Sequence, residues 1–74
     1  MYDSNYTNLA NAIVLQAVKD YRKAQRILYR YPDHRLAEHE SRSIERFFRS
    51  NWFGVLTQID PDMLISKLKA EVTA

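Results

Sequence analysis

From about Thr7 onward the apolar residues Leu9, Ala10, Ile13, Val14, Ala17, Tyr21, Ala24, Leu28 and Tyr31 recur at spacings of three and four. That period puts them on one broad stripe and predicts a long amphipathic helix over about 8–30. Neither Pro nor Gly interrupts it before Pro32, and Tyr31 ends it because the residue before a proline is pushed out of the α region. Residues 1–7 are polar and aromatic with no clear period, and predict a loosely ordered lead-in. A second run places Leu36, Ala37, Ile44, Phe47 and Phe48 inward and Glu38, Arg42, Glu45 and Arg49 outward, a helix over about 35–49 capped by Asp33. Ser50 then caps a short helix over about 51–58 whose apolar edge is Trp52, Val55, Leu56 and Ile59, with Gly54 expected where another backbone comes close.

The last element is announced by Asp60-Pro61-Asp62, a cap followed by a proline at the first helical position, where no N–H is needed. Leu64, Ile65, Leu68 and Val72 line its inner face over about 61–72. The fold expected is therefore all-α, a small bundle of three to four helices with a long N-terminal helix, forming a single helical domain over residues 1–74. Its centre is expected in the stretch from Ile44 to Asp60, which holds all three Phe, the only Trp and the only Gly. Truncating Trp52 or Phe47 to Ala is expected to cost ~3–5 kcal/mol.

Composition narrows what such a bundle can be. The 74 residues include no cysteine, which removes disulfides, thiol catalysis and cysteine-ligated zinc as supports for a chain this short. No window approaches the roughly 18 apolar residues of a membrane span, and no secretory leader is recognisable, so the expected location is the cytoplasm. One glycine cannot build a P-loop or a dinucleotide-binding turn. Ser41, Ser43 and Ser50 lack the strand-turn context of a nucleophile, and the carboxylates are dispersed at helix starts and in i,i+4 pairs. His34 and His39 lie five apart, which on a helix points them about 140° away from each other rather than at one metal. No catalytic residue, cofactor, metal or small-molecule substrate is expected, and the chain reads as a non-enzyme.

Charge adds the one functional signal. The net charge is only +2, yet residues 19–35 carry Lys19, Arg22, Lys23, Arg26, Arg30 and Arg35 against Asp20 and Asp33. On a helical wheel Lys19, Arg22, Lys23, Arg26 and Arg30 fall within about 100° of one another, a positive stripe beside the apolar one. Such a stripe is a solvated face, a surface that tracks phosphates, or one that meets an acidic protein; an apolar stripe beside basic residues also fits a membrane-surface helix, although the later aromatics offer it a partner within the chain. Leu15, Val18 and Tyr29 lie off the main stripe, on a line with Arg22. Either the long helix packs on both sides or this second line is an interface. The candidate partner-binding residues are accordingly Leu15, Val18, Lys19, Arg22, Arg26, Tyr29 and Arg30.

With Ile44-Glu45-Arg46-Phe47-Phe48-Arg49-Ser50-Asn51-Trp52-Phe53, Leu56-Thr57, Asp60 and Leu64-Ile65-Lys67-Leu68 in view, the chain resembles small proteins of prophages and integrative mobile elements of Gram-positive bacteria. The resemblance covers roughly residues 8–70 and carries no site residues. It implies a phage or mobile-element accessory protein working inside a bacterial host cell. The expected function is stoichiometric binding to a macromolecular partner, a host-defence protein inhibited in an anti-CRISPR-like way being one version. The alternatives are a small nucleic-acid-binding regulator using the basic face, and a structural homodimer sealed by the second apolar line.

Overall fold

A computed structural model describes the backbone of residues 2–73 and the side chains of residues 8–73. The described chain is built from four helices: α1 over Tyr2–Arg30, α2 over Arg35–Phe48, α3 over Asn51–Leu56 and α4 over Pro61–Thr73. The ends of the last three lie within one or two residues of those the periodicity predicts, the usual uncertainty of helix termini. Helix α1 starts earlier than the apolar pattern does, and the side chains of residues 2–7, where the lead-in was expected, lie outside the described ones.

Helix α1 is the spine. Twenty-nine residues at about 1.5 Å each span about 43 Å, close to the 46 Å long axis of a molecule only 22 by 18 Å across. The other three helices all pack on it. Its buried residues Val14, Val18 and Tyr21 meet Phe48 of α2, Phe53 of α3, and Ile65 and Leu68 of α4. Three of these side chains, Tyr21, Phe48 and Phe53, have almost no exposed surface. Their rings form a chain of edge-on contacts: Tyr21 to Phe48 at 5.7 Å, Phe48 to Phe53 at 5.3 Å, and Phe53 to the half-buried Phe47 at 5.7 Å. Edge-on aromatic pairs add about 0.5–1.5 kcal/mol each beyond the area they bury.

Short connections keep the backbone satisfied. Tyr31 closes α1 by donating its N–H to Ile27 O at 2.7 Å. Ser50 works in both directions, its hydroxyl donating to Phe47 O at 2.6 Å and accepting from Phe53 N at 3.3 Å, so one side chain ties the end of α2 to the start of α3. Asp60 Oδ1 accepts from Asp62 N at 3.0 Å, as the Asp-Pro signal requires. The cap of α2 differs from the expected Asp33: His34 occupies it, its Nδ1 accepting from Ala37 N at 3.1 Å. A short aspartate and an imidazole both offer an acceptor there, and the extended φ of −70° and ψ of 104° fall on His34.

The polar interior is sparse and paired. Gln25 donates to Ser41 Oγ at 2.7 Å and links α1 to α2 inside the core. Glu45, expected on the wet face, turns inward instead. Its Oε2 accepts from the Tyr21 hydroxyl at 2.6 Å and lies 3.6 Å from Lys69 Nζ of α4, while Oε1 lies 3.8 Å from Arg49. The physical reason is Tyr21: a buried hydroxyl needs a partner, and Glu45 is the acceptor α2 presents to it. Desolvation, and then the carboxylate beside it, push the Tyr21 phenol far above its ordinary range.

Further expectations are corrected by the packing. Trp52 is 56% exposed and lies outside the core, because α3 is too short to bury two faces and gives its inner one to Phe53 and Leu56. Val55 and Ile59 follow Trp52 outward. Leu36 is exposed in the first turn of α2. Gly54 faces open space, with nothing within 4 Å of where a Cβ would stand, so no backbone approaches it.

Truncating Phe48 or Phe53 to Ala should therefore cost ~3–5 kcal/mol, against less than about 1 kcal/mol for Trp52→Ala. Urea unfolding curves of the three variants check the order, and a Trp52 variant as unstable as the Phe48 one would refute the packing. Tyr21→Phe should cost about 1–3 kcal/mol, since it leaves Glu45 without its buried donor. The folded phenol titrates above its unfolded value of about 10, so its contribution is whole below that pH and is lost as pH rises through the folded value. Stability measured from pH 8 to 12, a range set by that value of about 10, should fall more steeply for the parent than for Tyr21→Phe.

Candidate functional site

The seven candidate residues do not form one surface. Val18 is 8% exposed and belongs to the core, where it packs with Ile65 and Leu68, so its assignment to an outward line is corrected. Helix α4 covers the middle of that line because its own apolar face needs α1. Arg22 is drawn into the same junction: its Nε and Nη2 donate to Glu71 Oε1 and Oε2 at 2.8 and 3.1 Å, a forked pair bridging α1 and α4. The guanidinium hydrogen bonds hold the Glu71 carboxyl below the usual carboxylate range, with the charges of Arg26 and Lys67 acting in the same sense. Leu15 and Tyr29 remain exposed, yet about 21 Å apart along the helix axis. Of the second line's apolar residues, Val18 alone is buried.

What stays together is the positive stripe. Lys19, Lys23, Arg26 and Arg30 are all exposed along α1, Lys23 bordering α2 and Arg26 and Arg30 bordering α4. None of the four has a carboxylate within 4.0 Å among the described residues, whereas Arg22, Arg42, Arg49 and Lys69 each do. The four span about 16 Å of axis at one-turn intervals. Lys67 of α4 extends the positive field across the α1–α4 seam, where Glu71 feels it.

At the C-terminal end of the stripe Arg22, Arg26, Tyr29 and Arg30 of α1, with Glu71 and Val72 of α4, line a cleft of about 460 Å³. Its walls are three guanidinium groups, one phenol and one aliphatic side chain, and its only carboxylate is already held by Arg22. Such a set can bind anions and stack on a flat ring. It offers no general base. Comparison with protein-family models, with curated proteins and with solved structures gave no match.

No group of three His, Cys, Asp or Glu stands close enough to hold a metal ion among the described residues. His34 is occupied as a helix cap and His39 lies exposed on α2. No described helix is long and apolar enough to cross a membrane. Two features escaped the sequence reading. Glu71 as the partner of Arg22 had no local signal, being forty-nine residues away. The cleft with Val72 required knowing that α4 runs alongside the C-terminal half of α1.

Proposed function

We propose that this chain works without catalysis, by stoichiometric binding, and that the contact is made by the basic face of α1 to the phosphate backbone of nucleic acid. One observation carries the reading: four exposed cations, Lys19, Lys23, Arg26 and Arg30, share one helix face with no carboxylate within 4.0 Å among the described residues. A solvated face that served only solubility would gain from mixed signs, as α2 does with Glu38 and Arg42 at 3.4 Å. Of the apolar line that a protein partner was expected to use, Val18 is spent on the core, and the exposed Leu15 and Tyr29 are too far apart to form one patch. The resemblance to phage and mobile-element proteins supports a setting in which such a small binder acts inside a bacterium.

A second reading keeps a protein partner, such as a host-defence protein. It is favoured by the exposed Trp52, Val55, Ile59 and Met63, which α3 and the start of α4 leave to solvent. The two readings use different faces and separate cleanly.

Fluorescence anisotropy with a labelled oligonucleotide at several salt concentrations tests the first. Four phosphate contacts predict a slope of log K against log salt of about −3 to −4, and Lys23→Glu/Arg26→Glu should abolish binding. Glu71→Gln should tighten it, because Arg22 is then released to the polyanion. Salt-independent affinity, or binding untouched by the double reversal, would discard the reading. Trp52 is the only tryptophan, so its emission reports on the other face: it should stay constant as nucleic acid is added and shift to the blue only with a partner seated on α3.

A further inference from the structure

Nothing in a row of cations distinguishes a duplex from a single strand, since both offer phosphates. The aromatic residues at the end of the row do. Tyr29 is 65% and Tyr31 59% exposed, flanking Arg30 in sequence. Neither ring packs against another aromatic, and neither hydroxyl has a hydrogen-bond partner among the described residues. They add little to the fold. Their backbone is nevertheless fixed: Tyr29 is in the last turn of α1, and Tyr31 donates to Ile27 O at 2.7 Å and accepts from His34 N at 3.0 Å. The Tyr29 ring is thus presented on a firm base beside Arg26 and Arg30, with which it lines one cleft.

In a duplex the bases are stacked on each other and expose only their edges, so an exposed phenol finds no ring face to meet. On a single strand the bases can be splayed out, and stacking on Tyr, with Arg beside it, supplies affinity independent of sequence. The cleft of about 460 Å³ that Tyr29 lines with Arg26, Arg30 and Val72 lies within the range of small-ligand pockets, about 300–1,000 Å³. Its lining combines an aromatic ring, an aliphatic side chain and guanidinium groups, the residue types a flat heterocycle joined to a phosphate requires.

We propose that the basic face of α1 is a single-strand-binding surface, in which the cations from Lys19 to Arg30 follow the phosphates and Tyr29 stacks on a base at its end. This rests on the polyanion reading above and narrows its partner. The test is anisotropy at fixed salt with a labelled oligothymidylate of about 20 nucleotides, longer than the roughly 4–16 nucleotides such a site covers, against a duplex of the same length. The parent should bind the single strand at least about tenfold more tightly. Tyr29→Ala should weaken single-strand binding about tenfold, leaving the duplex affinity and the salt slope unchanged, and Tyr29→Phe should restore it. Circular dichroism of each variant confirms the fold, which these exposed side chains do not support. Equal affinity for both nucleic acids, with no effect of Tyr29→Ala, overturns the single-strand proposal and leaves polyanion binding standing. Failure to bind either one overturns both.

Discussion

The bond between the Tyr21 hydroxyl and Glu45 is the constraint on which the remaining packing depends. Tyr21 stands midway along α1 with its ring buried against Phe48, and its hydroxyl must be satisfied where water does not reach. The 2.6 Å bond to Glu45 sets the register of α2 against α1. Once that register is set, Gln25 meets Ser41 one turn further along, and Phe48 comes under Tyr21. Lys69 then approaches the same carboxylate from α4. A single acid therefore joins three of the four helices, in a chain with no disulfide to do so.

Ridge-like periodicity made the helices and most of the core legible. Val14, Tyr21, Ala24, Ala37, Phe48, Ile65 and Leu68 are buried where the three-and-four spacing places them. The pattern failed where an element is too short for its period to choose a side. In the six residues of α3, Trp52 and Phe53 are adjacent, and only tertiary packing decides that the phenylalanine goes in. It failed again at Glu45, because an i,i+4 pair with Arg49 reads as a wet face whether or not a buried hydroxyl lies behind it. Local spacing carries no information about a residue twenty-four positions away.

The candidate site was half legible for the same reason. Four cations on one face follow from a helical wheel, and they are exposed as the wheel places them. Val18 and Arg22 could not be assigned, since a helix with apolar residues on two sides does not say which partner covers the second. Helix α4 covers it, through Ile65, Leu68 and Glu71. The cleft beside Tyr29 is a product of that coverage and so has no counterpart in the sequence pattern.

The positive stripe is also a cost to the fold, and this bears on what it is for. Lys19 and Lys23, Arg22 and Arg26, and Arg26 and Arg30 are like charges at i,i+4, each unfavourable by about 0.2–0.5 kcal/mol. Cations near a helix C-terminus gain from the macrodipole, but only within the last turn, which accounts for Arg30 and not for Lys19 or Lys23. Glu71 pairs directly with Arg22 and also feels the charge of Arg26. On α2 the same chain places Glu38 and Arg42, and Glu45 and Arg49, as opposite charges at i,i+4, beside the single like pair Arg42 and Arg46. Helix formation would be served equally well by that pattern on α1. The like pairs on α1 are thus a cost to the helix, and the proposed polyanion partner is what would offset it.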